Sequence, residues 1–147
     1  MDQVRIYLLT LRKRPSRGKG YFAYRLEFVD QNGKMHEKEL YEEEKDITAN
    51  QLALVAMYRA FEALRKPCEV EVFTDSLYLR GNFVANLENW TLNNWLNAKG
   101  EPVANGELWR RLEEVTKPHV IRFNMAYQWP ARRRMTEWLQ RMKMEHA

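Results

Sequence analysis

Between residues 21 and 29, Phe22, Tyr24, Leu26 and Phe28 recur at every second position. A period of two belongs to a β-strand with one buried face. Asn32 and Gly33 follow as a two-residue hairpin turn, so a return strand is expected over about residues 34–41. Residues 4–11 form an earlier apolar run with strand character, and the Pro- and Gly-containing stretch at 15–20 reads as the loop between them. From residue 48 the period changes. Thr48, Ala49, Asn50 and Gln51 make a capping box, in which Thr48 accepts from the Gln51 backbone and Gln51 reaches back. Leu52, Ala56, Ala60, Ala63 and Leu64 then repeat at helical spacing, and Pro67 marks the stop. The first third is therefore an antiparallel meander and the next element a helix.

The rest of the chain alternates strands and helices. Residues 70–73 read as a strand ending at Thr74, Asp75 and Ser76. A helix is expected over about 77–87, then an irregular Trp-rich segment with Trp90 and Trp95. Asn105 is placed as the cap of a helix with Leu108, Trp109, Leu112 and Val115 on its apolar face. Residues 119–126 read as a fifth strand. Pro130 suits the first turn of a last helix carrying Met135, Trp138, Leu139 and Met142. The order is βββαβααβα, an α/β (α+β) arrangement with a five-stranded mixed sheet flanked by helices. The 147 residues suit one domain spanning 1–147.

Composition excludes some classes. The chain is 45% hydrophobic, too apolar for disorder, and no run of about 18 apolar residues spans a bilayer. The apolar stretch near the start is short and precedes its basic residues, the reverse of a secretion signal. The lone Cys68 makes no internal disulfide and belongs to no zinc spacing. A cytoplasmic location is expected. The net charge of +4 is uneven. Arg12, Lys13, Arg14, Arg17 and Lys19 form one basic cluster, and Arg132, Arg133 and Arg134 form another. Between them lie Glu37, Glu39, Glu42, Glu43, Glu44 and Asp46.

The middle of the chain carries a resemblance. Residues 47–54, Ile-Thr-Ala-Asn-Gln-Leu-Ala-Leu, are similar to the T-T-N-N-R-M-E-L pattern of bacterial type I ribonucleases H. Glu62-Ala63-Leu64, Cys68-Glu69-Val70 and Phe73-Thr74-Asp75-Ser76-Leu77-Tyr78 match that family's E-A-L, C-E-V and S-T-D-S-x-Y. Trp90, Trp95, Pro102-Val103, Asn105 and residues 108–112 fall at matching spacing, and the similarity runs without a gap from about 47 to 123. The resemblance implies the ribonuclease H-like fold and, in active members, cleavage of the RNA strand of an RNA–DNA hybrid. It also implies four carboxylates holding two Mg²⁺ ions about 3.5–4 Å apart.

Carried over residue by residue, that site is depleted. Asp75 is retained. The first-strand Asp falls at about Leu9, the helix Glu on Ala53, the last-helix Asp at about Thr136, and a mobile His near Trp129. One carboxylate does not assemble a two-metal centre, so a catalytically degenerate member, a pseudoenzyme without a resident cofactor, is expected. Mg²⁺ or Mn²⁺ enters only with residual nuclease activity, for which Glu39 or Asp46 are candidate replacement ligands.

Each remaining candidate has two readings. Asp75 is a remnant metal ligand, or part of a helix cap. The arginines at 132–134 bind phosphate at a helix start, or are a solvated run. The basic loop at 12–19 contacts phosphates without reading sequence, or keeps the chain soluble. Asn50 matches a groove-contacting position, while its neighbour is Ala49. The family's basic protrusion is absent between Trp90 and Trp95. There Leu92, Trp95 and Leu96 are a protein-binding patch, or local packing. Three functions follow: a non-catalytic binder of RNA–DNA hybrid, double-stranded RNA or DNA; an interaction or scaffold module of phage, mobile-element or defence origin; or a divergent nuclease with relocated ligands.

Overall fold

The computed structural model describes residues 1–12, 17–126 and 128–146. Its elements are β1 (Asp2–Arg12), β2 (Gly18–Val29), β3 (Met35–Ile47), α1 (Ala49–Glu62), β4 (Cys68–Phe73), α2 (Leu77–Ala85), α3 (Leu87–Leu92), α4 (Gly106–Thr116), β5 (Val120–Asn124) and α5 (Arg132–Glu145). They build the expected five-stranded mixed sheet, in the order β3-β2-β1-β4-β5. β1, β2 and β3 pair antiparallel. β4 and β5 add in parallel, reached through helical crossovers.

Alternation along the strands divides the sheet into two faces. Ile6, Leu8, Phe22 and Tyr24 point to one face, where they bury with Leu52, Met57 and Phe61 of α1 and Trp109 of α4. Leu9, Tyr21 and Ala23 point to the other and bury against Met135 and Leu139 of α5. Thr48 caps α1 as expected: its Oγ1 accepts from Gln51 N–H at 3.1 Å, and Gln51 Oε1 accepts from Thr48 N–H at 3.1 Å.

Four local expectations change. The β2–β3 turn has three residues rather than two. Asp30 N–H donates to Lys34 O at 2.9 Å and Gly33 N–H to Asp30 O at 3.0 Å. Only Gly33 of the loop has positive φ, +80°, and the Asp30 carboxylate accepts from both Asn32 and Lys34 N–H. β3 runs on to Ile47, with its carboxylates Glu39, Glu42 and Glu43 paired to cations of neighbouring elements. The segment around Trp90 is helical: α3 buries Leu87 and sets Trp90 edge-on to Trp109, ring centroids 5.4 Å apart. Asn105 sits at the cap of α4 but makes no capping bond, because its left-handed backbone, φ 58°, turns the side chain elsewhere.

Gly20 lies where β2 passes beneath α1. A Cβ there would stand 2.8 Å from Leu52 Cδ2 and 3.2 Å from Ile47 Cγ2. Both residues are buried. Gly20→Ala is expected to cost about 1–3 kcal/mol by overpacking, read as a lower urea midpoint at unchanged m-value.

Candidate nucleic-acid interface

β1 and β4 pair in parallel as far as Tyr7 opposite Phe73. Leu9 and Asp75 lie two residues beyond that pair, at neighbouring strand ends where open α/β sheets present ligands. Tyr7 stacks on Phe73 at 4.5 Å and 23°, and Trp129 lies on Tyr7 at 4.5 Å and 32°. The three rings make an aromatic floor on the α5 side of the sheet. Tyr7 OH donates to Glu27 Oε1 at 3.1 Å. Burial first, and then the Glu27 charge, push its phenol above the ordinary value.

Asp75 is half-exposed, and Arg132 Nη2 approaches its Oδ2 to 3.6 Å. Ser76, not Asp75, caps α2: Ser76 Oγ accepts from Leu79 N–H at 3.1 Å, and Thr74 Oγ1 accepts from Ser76 N–H at 3.1 Å. Leu9, 8% exposed, packs with Met135 and Leu139. Ala53, 5% exposed, is in the main core on the other face. Thr136 is half-buried on α5. Among the described residues no three His, Cys, Asp or Glu side chains gather closely enough to hold a metal ion. The donors at the strand ends do not suit a pair of dications: their carboxylate already faces a guanidinium, and the Thr74 and Ser76 hydroxyls beside it are engaged with backbone N–H groups.

The acidic stretch and the two basic clusters, apart in sequence, meet in space. Arg17 reaches Asp46 at 3.7 Å and Lys19 reaches Glu43 at 3.7 Å. Arg134 grips Glu39 with both guanidinium nitrogens, and Arg59 of α1 grips Glu42 the same way. Arg133, 94% exposed at its side chain, has Glu137 one turn away at 3.4 Å. Arg12 Nη1 donates to Gly18 O at 3.3 Å; Lys13 and Arg14 lie outside the described residues. The arginines at 132–134 occupy the first turn of α5, where positive charge opposes the helix dipole. A separate carboxylate answers each: Asp75, Glu137 and Glu39.

At the centre of this charge lattice is Arg25, 9% exposed. It meets Glu27 at 2.7 Å and Glu37 at 3.1 Å, and also bonds Glu39. Glu39 is held down to about 2, first by Arg134, then by Tyr41 and Arg25 against the cost of burial.

Asn50 is exposed at the start of α1. Beside it Gln51 Nε2 donates to Asn105 Oδ1 at 3.1 Å, and Asn105 Nδ2 donates to Tyr78 OH at 3.1 Å. Trp109 Nε1 also donates to Tyr78 OH, at 3.0 Å. This chain ties α1, α2 and α4 together, and nothing in the periodicity announces it. In the Trp segment, Leu92 is 74% and Leu96 39% exposed. Trp95 is partly buried beneath Arg110, whose Cζ stands 5.4 Å from the ring centroid. Asn94 and Trp95 both have left-handed backbone, φ 56° and 62°.

Three antiparallel strands continued by two parallel ones, with helices on both faces, define a ribonuclease H-like fold. The family model for RNase H matches residues 10–127. The chain belongs to the ribonuclease H family. It is 44% identical over 88 residues to a ribonuclease H of Chelativorans sp., a match covering 60% of this chain and 54% of the relative. The chain thus spans about half the length of that relative. Among solved structures, LC9-RNase H1, a type 1 RNase H with the type 2 active-site motif, superposes with a TM-score of 0.74 at 18% identity. That match covers 96% of this chain and 70% of the other. The foamy viral protease–reverse transcriptase in complex with RNA/DNA hybrid gives 0.59 at 14%, over 84% of this chain and 17% of the other. At these identities the likeness is one of fold. No helix among the described residues is long and apolar enough to cross a membrane.

Proposed function

We propose that this chain is a ribonuclease H domain that binds RNA–DNA hybrid or a related duplex without cutting it. The observation that carries the reading is Asp75 facing Arg132. Leu9 and Ala53, where the resemblance puts two further acids, sit in apolar packing on opposite faces of the sheet, and among the described residues no three metal-ligating side chains gather. A two-metal reaction requires several anionic ligands converging on both ions. Support for the partner comes from the family and from a fold neighbour solved with RNA/DNA hybrid. The surface that would meet phosphate is the Asp75–Arg132 end of the sheet, with the exposed Arg133 on the same turn of α5. Its arginines are already paired with carboxylates, so the contacts are exchanges of one anion for another. Modest affinity follows, on the order of micromolar at low salt, and its logarithm should fall linearly with log salt.

The test is incubation with labelled RNA–DNA hybrid in Mg²⁺ or Mn²⁺. The expected result is salt-dependent retention with no cleavage product. Cleavage that disappears in Asp75→Asn would overturn the reading in favour of a nuclease with relocated ligands.

A second reading, a protein-interaction module, is favoured by the exposure of Leu92, the last residue of α3, and of Leu96, on either side of the left-handed Asn94 and Trp95. Such strain is often stored at functional surfaces. A stable partner recovered with the wild type and lost with Leu92→Glu supports it; a monomer that captures nothing removes it.

A further inference from the structure

We propose that the Arg132 guanidinium takes, beside Asp75, the seat that the family gives to metal ions. The domain then holds a nucleic-acid phosphate there without a divalent cation. This rests on reading the domain as a nucleic-acid binder.

The residues at the strand ends disagree with a metal site in a particular way. Asp75 is present and half-exposed, so one oxygen ligand is available. The positive charge it faces is supplied covalently, by the Arg132 guanidinium at 3.6 Å. A dication arriving at Asp75 would meet that guanidinium as a like charge, and the Tyr7, Phe73 and Trp129 rings of the floor are packed on one another. Hard cations want several oxygens in near-octahedral order, and this floor does not provide them.

A phosphate meets the opposite conditions. The guanidinium presents planar paired N–H donors that match phosphate oxygens. Arg132 is also the arginine placed for the task. Arg134 is turned toward Glu39 and grips it. Arg133 points into solvent at 94% exposure. Arg132 is the one whose side chain, 26% exposed, lies over the strand ends. Its backbone N–H donates to Trp129 O at 3.0 Å, which fixes where the side chain leaves the helix. Asp75 then acts as the resting anion. It holds the guanidinium in place when no phosphate is present, and it opposes the phosphate when one arrives.

That last consequence separates this arrangement from a metal site. Where Asp75 served a metal, Asp75→Asn would weaken binding. Where Asp75 competes with the phosphate, Asp75→Asn tightens it. The test measures hybrid affinity by fluorescence anisotropy across a salt series, in Mg²⁺ and in EDTA at matched ionic strength. Wild type, Asp75→Asn, Arg132→Ala and Arg132→Lys are compared, with far-UV circular dichroism confirming that each variant folds. The wild type should bind equally in Mg²⁺ and EDTA. Arg132→Ala should weaken binding about tenfold and reduce the log–log salt slope by about 1, the signature of one lost phosphate contact. Arg132→Lys should restore the slope, and Asp75→Asn should tighten binding about two- to fivefold, the converse of removing a stabilising charge. Calorimetric titration of wild type with Mn²⁺ alone should give no binding heat at millimolar metal. Wild-type binding that EDTA abolishes, an unchanged slope in Arg132→Ala, or saturable Mn²⁺ binding overturns the inference and leaves the duplex-binding reading standing. Absence of hybrid binding at low salt in any buffer overturns both.

Discussion

Leu9→Asp should destabilise the protein by about 3–5 kcal/mol at neutral pH, the cost of an uncompensated buried charge. Against a typical domain stability of about 5–15 kcal/mol, that is a large fraction. Leu9 packs between Tyr21, Ala23, Met135 and Leu139, and all five side chains are under a tenth exposed. A carboxylate placed there loses its hydration and gains no cation in exchange, because none of the four side chains buried with it is charged. Leu9→Asn separates charge from shape. In urea denaturation at pH 7 the Asp variant should be the less stable by more than about 1 kcal/mol. The two should converge near pH 4, where a buried carboxyl with a raised pKa is neutral. Equal stability of Leu9→Asp and wild type would mean that this end of the sheet still accommodates an acid, and the non-catalytic reading would lose its main support.

The same residue shows what sequence can reach. The change of period at Thr48, the capping box, and the matches around Thr74-Asp75-Ser76 rest on spacings within one element or in unbroken register, and they placed the sheet and its helices. The β2–β3 register was out of reach. A two-residue turn at Asn32 and Gly33 would set Gln31 opposite Lys34 and Arg25 opposite Leu40. The three-residue turn sets Arg25 opposite Glu39. One residue of slip exchanges the faces of a strand, so the Arg25 lattice with Glu27, Glu37 and Glu39 could not be read beforehand. Nor could the meeting of the acidic stretch with both basic clusters. That depends on β3 continuing to Ile47 and on α5 crossing to reach it, and both are tertiary facts.

The meeting changes what the charges mean. Counted along the chain, two arginine-rich clusters look like free phosphate-binding capacity. In space, β3 supplies anions that stand in for phosphate at Lys19, Arg59 and Arg134, while Asp75 does so at Arg132. On the duplex-binding reading, a domain built this way would hold its binding charge in internal ion pairs. Exposed pairs of this kind contribute only about 0–1 kcal/mol each, so they exchange readily for a phosphate. Those pinned to the half-buried Glu39 exchange much less readily.

Glu39→Gln should expose that difference. The Glu39 side chain is 16% exposed, and its carboxyl is held down to about 2 from an ordinary 4.5. A depressed folded-state pKa contributes stability that is present above the unfolded value and is lost as pH falls through the folded one. The wild type should therefore lose about 2–3 kcal/mol between pH 5 and pH 2 from this group. Glu39→Gln should be less stable by a similar amount at pH 7, with the gap closing toward pH 2. Tyr41 supplies an independent readout. Burial first, and then Glu39, push its phenol up to about 12, so its ultraviolet titration should move to lower pH in the variant. Arg134, released from its carboxylate, becomes available to phosphate, and hybrid binding should tighten even as the fold weakens. Identical pH profiles of wild type and variant from pH 5 to 2 would show that Glu39 bears no such load. Weaker hybrid binding in a folded variant would show that Arg134 needs Glu39 to hold it in place.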